Sequence, residues 1–275
     1  MLFSLFVDNI LEQLEKSGLG CFINYKCHNS MIYADDLILV SISVHDLQCL
    51  FNICDKVISS LDLVVNINKC FCMRIGPRHN IMCKSLTICN SPIPWVTEIR
   101  YLGIFICKGP RFKCNWKEAI SRFYSTTNNI LGKIGSSPPL EVVLKLIVTQ
   151  CLPILNYGNV ACALSRQDID KFCFVFNSVF CKLFDTKDKN TIQACQYYTG
   201  FLTYDLQYEL NRLLFITNQI NVDVIQECVD CDQPDLKEFS ELCTKFKIDD
   251  NDSIRTVKDK VWCYFKEHIS VLVIN

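Results

Sequence analysis

The segment Ser30-Met31-Ile32-Tyr33-Ala34-Asp35-Asp36-Leu37-Ile38-Leu39-Val40 decides how the surrounding chain folds. Two apolar, β-prone runs flank a pair of consecutive aspartates, a pattern that predicts a tight hairpin with two carboxylates at its exposed tip. Like charges held side by side repel, and a divalent cation that prefers hard oxygen ligands is the usual remedy. Taken alone, Asp-Asp in a turn reads first as an ordinary solvated corner, because Asp favours turns.

Working outward, Leu2, Phe3, Phe6, Ile10, Leu11 and Leu14 recur at three- and four-residue spacing and predict a helix over residues 2–16, closed by Ser17-Gly18. Short apolar stretches at 21–24, 31–33 and 37–42 read as strands, and 45–60 returns to helical spacing. Strand-like pieces follow at 63–66, 70–75, 86–89 and 99–106. Beyond residue 107 the pattern becomes helical, over 116–134, 140–152 and 167–184, with Ser136-Ser137-Pro138-Pro139 as a breaker. The chain therefore divides into a mixed α/β part, 1–107, a mostly helical part, 108–185, and a tail, 186–275. The signals in the tail are weaker: one amphipathic stretch near 204–220 and an acidic run over 223–259.

Half of the 275 residues are hydrophobic and 21% are charged, which excludes disorder for the whole chain. Nineteen cysteines, an odd number at irregular spacing behind a start without a basic leader, do not form a disulfide framework. They read as reduced, mostly buried thiols of an intracellular protein, nuclear or cytoplasmic, that is not secreted. No apolar run reaches the roughly 18 residues of a membrane span. Cys228-x-x-Cys231 has zinc-ligand spacing but lacks a matched second pair, so zinc is disfavoured.

The formal net charge is -1, yet it is unevenly distributed. Between Asn66 and Lys117, Lys69, Arg74, Arg78, Lys84, Arg100, Lys108, Arg111, Lys113 and Lys117 face Glu98 alone. Cations interleaved with Phe71, Trp95, Tyr101, Phe112 and Trp116 suit a nucleic-acid backbone with stacked bases, although each residue singly reads as solvated face or core.

Tyr33-Ala34-Asp35-Asp36 resembles the Tyr-x-Asp-Asp signature of reverse transcriptases, and its surroundings resemble those of non-LTR (LINE-type) retrotransposons in particular. Leu61-Asp62-Leu63-Val64-Val65-Asn66-Ile67-Asn68-Lys69-Cys70 is similar to the family's hydrophobic-Asn-x-x-Lys segment, and Ile99-Arg100-Tyr101-Leu102-Gly103-Ile104 to its Tyr-Leu-Gly strand at the primer end. Leu140-Glu141-Val142-Val143-Leu144-Lys145-Leu146 and Cys151-Leu152-Pro153-Ile154-Leu155-Asn156-Tyr157-Gly158 resemble its helical thumb region. Each motif is short; their order over residues 1–185 carries the resemblance.

The resemblance implies an α+β fold: the C-terminal half of a polymerase palm, an antiparallel hairpin with packed helices, followed by a thumb-like helical region. Asp35 would be a metal ligand, Asp36 its partner, and magnesium or manganese the cofactor. Lys69 would donate a proton to the leaving pyrophosphate or touch a phosphate. Tyr33, Tyr101, Leu102 and Gly103 would meet the primer, with Arg100, Lys108, Arg111 and Lys113 on the nucleic acid, an RNA template and a DNA primer. The family's earlier palm aspartate, its fingers and its Gly-Gln-Gly loop should lie before Met1, and Asp8, inside a helix, does not replace that aspartate. The expectation is an RNA-directed DNA polymerase fragment inactive by itself, or alternatively a non-catalytic nucleic-acid-binding remnant. A metal-binding or interaction protein with a coincidental Asp-Asp turn is the third reading.

Overall fold

The computed structural model describes residues 2–23, 25–133, 139–221, 234–249 and 252–269. It is a mixed helix and sheet protein with two compact units, Met1–Cys114 and Asn115–Asn275. The α+β expectation holds at that level. A division at 107/108 falls between the second and third strands of one sheet.

The first unit opens with helix α1 (Leu2–Lys16), then the hairpin β1 (Cys21–Ile23) and β2 (Lys26–His28), then the hairpin β3 (Ser30–Tyr33) and β4 (Asp36–Leu39). Helix α2 (Val44–Ser60) follows, started by Ser43, whose hydroxyl accepts from the Asp46 N–H at 3.0 Å. A cap of this kind contributes about 1 kcal/mol. Apolar residues at helical spacing give α2 two buried stripes. Leu50, Cys54 and Val57 pack with Ile10 and Leu14 of α1 and with Leu37 and Leu39 of β4. Val44, Leu47 and Phe51 pack instead on Leu86, Ile88 and Ile93, which belong to the hairpin β5 (Leu86–Ile88) and β6 (Ser91–Ile93).

Three strand expectations need correction. Residues 63–66 are irregular and run into a 3₁₀ turn, Ile67–Lys69, because the chain must reverse after α2: Asp62 takes a left-handed φ of 55° and the Leu63 N–H bonds back to Ile58. Residues 70–75 make only isolated parallel bridges, Cys72 to Trp95 and Ile75 to Gly109. Residues 99–106 are two strands, β7 (Glu98–Tyr101) and β8 (Ile104–Cys107), which continue into β9 (Lys113–Asn115) as one three-stranded sheet. Leu102 and Gly103, at φ 45° and 80°, form their connecting turn. Positive φ at both central positions is the type I′ pattern, the two-residue hairpin that fits strand twist.

The second unit is helical: α3 (Lys117–Lys133), α4 (Leu140–Leu146), α5 (Leu152–Asn156), α6 (Arg166–Phe184), α7 (Lys189–Tyr198), α8 (Tyr204–Asn221), α9 (Pro234–Phe246) and α10 (Ile254–His268). The single helix expected over 140–152 is broken by a π turn, Ile147–Cys151, next to Pro153, which has no N–H for the helical ladder. Phe172, Phe176 and Phe180, fully buried on α6, form its core with Phe201 and Tyr204. Residues 186–275 hold α7 to α10, far more order than one amphipathic stretch, because α8 buries Leu206, Leu210 and Leu213 against α9 and α10. No helix among the described residues is long and apolar enough to cross a membrane.

Candidate active site

The site is built around the β3–β4 hairpin. Its register pairs Ser30 with Leu39, Met31 with Ile38, Ile32 with Leu37 and Tyr33 with Asp36, leaving Ala34 and Asp35 as a two-residue turn. Alternation along the strands sends Leu37 and Leu39 into the core with α1 and α2. The opposite face carries Met31 and Tyr33, 56% and 63% exposed, in line with Asp36. Of the two turn residues only Ala34 has a positive φ, 53°. That is the pattern of a type II′ turn, in which glycine normally takes the first position. Asp35 sits in the turn and Asp36 starts the second strand; both are exposed.

A buried amide that sequence reasoning missed holds this hairpin in place. Asn29, 5% exposed, donates through Nδ2 to the carbonyls of Leu14 at 2.6 Å and Leu19 at 3.0 Å. Its own carbonyl accepts from the Val40 N–H at 2.8 Å, so one residue ties the end of α1 to the base of the hairpin. Gly20, at φ 137°, lies against it so closely that an added Cβ would stand 2.5 Å from the Asn29 Cβ. An isolated Asn between two short strands has no local pattern that separates it from a solvated turn residue.

Burial first, then the charge of Asp36 and the neighbouring Tyr33 phenol, push the Tyr101 hydroxyl above its ordinary range. Tyr33 and Asp36 are cross-strand partners, and the Asp36 charge acts on Tyr101, 65 residues further along the sequence; Leu102 and Gly103 form the exposed turn immediately after Tyr101. Arg100 stacks its guanidinium 5.6 Å over Phe105, its cross-strand partner. Lys69 closes the 3₁₀ turn and is exposed, with no hydrogen bond or ion pair to Asp35 or Asp36 among the described residues. Lys108, Arg111 and Lys113 lie at the other end of the sheet, on and around the loop between β8 and β9.

Two exposed carboxylates with hard oxygens suit magnesium or manganese, which are commonly held by one or two carboxylates together with substrate phosphates. Among the described residues no group of three or more His, Cys, Asp or Glu converges on a metal position. Cys228 and Cys231 lie outside the described residues, while His268 stacks on Tyr264 at 3.9 Å with its Nδ1 2.8 Å from the Tyr264 carbonyl. The described cysteines are free thiols, and burial pushes those of Cys54 and Cys72 up to about 12.

Residues 1–106 match the family model described as reverse transcriptase (RNA-dependent DNA polymerase). This part of the chain is similar to reverse transcriptases. Over 175 residues, 61% of the chain, it is 30% identical to the retrovirus-related Pol polyprotein from the type-2 retrotransposable element R2DM of Drosophila melanogaster. The expected likeness to non-LTR retrotransposon reverse transcriptases is thus found, and the chain spans 16% of that relative's length. No solved structure matches it. The matched segment contains the β3–β4 hairpin, Asn29 and the β7–β8 turn with Tyr101 before it.

Proposed function

We propose that the chain is part of an RNA-directed DNA polymerase of a non-LTR retrotransposon, with residues 1–107 as the C-terminal half of the palm and 108–185 as a thumb-like region. Its substrates would be an RNA template and a DNA primer, met inside the cell, in nucleus or cytoplasm. Asp35 and Asp36 would hold a divalent ion at the hairpin tip. Bound there, magnesium or manganese would supply electrostatic stabilisation of phosphoryl transfer. Tyr33 and Tyr101, with Leu102 and Gly103, would position the primer end against the carboxylates, the open backbone at Gly103 allowing close approach. Lys69 would serve the leaving phosphate, and Arg100, Lys108, Arg111 and Lys113 would neutralise nucleic-acid phosphates.

The observation that carries this reading is the β3–β4 hairpin, which sets Tyr33 opposite Asp36 with Asp35 in its turn, inside the segment similar to reverse transcriptases. Two carboxylates can bind one ion weakly but do not bridge a pair of ions roughly 3.5–4 Å apart without further ligands. We therefore assign the isolated chain no polymerase activity, and the second reading, nucleic-acid binding without extension, fits the same two-carboxylate arrangement. Primer extension on an RNA template with magnesium or manganese tests both readings. Retained binding without extension is expected; extension that Asp35→Ala abolishes would show the chain to be a complete enzyme.

A further inference from the structure

Two basic loops that are separate in sequence form one surface. The Ile75–Gly109 bridge and the Gly76 N–H donating to the Gly109 carbonyl at 2.9 Å fasten the segment after residue 74 to the loop between β8 and β9. Arg74 reaches back through Nη1 to the Cys83 sulfur at 3.4 Å, which closes residues 74–83 into a compact loop. Within it the His79 N–H donates to the Gly76 carbonyl at 2.9 Å and the Ile81 N–H to that of Arg78 at 3.1 Å. Arg78 on that loop, Lys84 just after it, Arg111 on the other loop and Lys113 at the start of β9 are exposed, and Lys108 is half-buried. None of the five has an ion-pair partner among the described residues. Phe112, 55% exposed, lies between Arg111 and Lys113 in sequence.

We infer that this bridged loop pair is a second contact for the nucleic-acid backbone, in which Arg78 and Lys84 bind phosphates away from the hairpin tip. The inference rests on the nucleic-acid reading above and adds a location and two residues to it. Strand β8, four residues long and roughly 13 Å at about 3.3 Å per residue, separates the β7–β8 turn from the loop that follows β8. Unpaired cations on a loop pinned by backbone bonds lose little freedom when phosphate binds, and the exposed Phe112 ring gives a base a stacking face.

The test measures binding of the full chain to a labelled RNA–DNA hybrid, and to the same DNA single-stranded, as salt rises from about 50 to 200 mM. Arg78→Gln with Lys84→Gln should lower the slope of log affinity against log salt by about 1.8 on the hybrid, or by about 1.4 on the single strand. On the hybrid, the gap from wild type then widens about tenfold towards low salt. A change confined to one oligonucleotide tells which form the loops hold. An unchanged slope on both, with circular dichroism matching wild type, overturns the inference and leaves the polymerase reading intact. Equal weakening on polyglutamate also overturns it, as generic anion contact. A wild-type chain that binds neither oligonucleotide refutes the underlying nucleic-acid reading itself.

Discussion

Asp36 and Tyr101 stand close enough for the aspartate charge to raise the tyrosine hydroxyl's pKa, although 65 residues separate them along the chain. Burial is the larger cause and Asp36 the second. Asp36→Asn should therefore bring the Tyr101 hydroxyl part of the way back towards its ordinary value, which ultraviolet or NMR titration of the phenol would detect; no change would separate the two side chains. The sign for stability follows from a raised folded-state pKa. The contribution is complete below about pH 10 and is lost as pH rises through the folded value, so alkaline unfolding should begin earlier in wild type than in Tyr101→Phe.

Asn29 is the tie between α1 and the hairpin. Asn29→Ala removes two hydrogen bonds, to the Leu14 and Leu19 carbonyls, which keep other donors in Ser17 and Cys27, and should cost about 1–3 kcal/mol in urea unfolding. Gly20→Ala should be at least as damaging, since its Cβ would collide with Asn29 in a backbone conformation that side chains rarely adopt. Wild-type midpoints in both variants would remove the tie.

Ala34 occupies the hairpin turn at φ 53°. Ala34→Gly should leave stability unchanged or raise it by up to about 1 kcal/mol, while Ala34→Val should lower it by about 1–2 kcal/mol, because a β-branched residue is an outlier there. Thermal unfolding of the pair checks the sign; a more stable valine variant would contradict the turn geometry.

In the second unit, Arg212 is 1% exposed and donates to Asp235 at 2.5 Å, to Glu238 at 3.0 Å and to the Val160 carbonyl at 2.6 Å. Burying a guanidinium is costly unless its donors find acceptors, and each of its three nitrogens, Nε, Nη1 and Nη2, has one here. Arg212→Met should destabilise by about 1–3 kcal/mol, below the range for a fully buried pair, because both carboxylates still reach water. A chemical denaturation midpoint equal to wild type would contradict this.

Alkylation should discriminate among the thiols. Cys263 is exposed and should react with iodoacetamide near neutral pH, whereas Cys54 and Cys72, buried and pushed up to about 12, should stay unmodified until the chain unfolds. Mass spectrometry of digests after a timed pulse reads the order, and early labelling of Cys54 would contradict the packing of α1 on α2.

What the sequence determined by itself is whatever neighbouring residues decide together. Helices α1 and α2 follow from apolar spacing, and the β3–β4 hairpin from two β-prone runs around Ala34-Asp35, because dihedral preference and facial periodicity act within a few residues. Tertiary structure decided the remainder. The stretch 99–106 folded as two strands because Leu102 and Gly103 turned in the left-handed region, while 70–75 found only isolated parallel bridges to Trp95 and Gly109. Asn29 and Arg212 look like ordinary polar residues until distant carbonyls and carboxylates enclose them. The meeting of Asp36 with Tyr101, and of the loop at Gly76 with Gly109, depends on packing between segments dozens of residues apart. Local sequence patterns cannot encode such contacts, because their energy appears only once the intervening chain has folded.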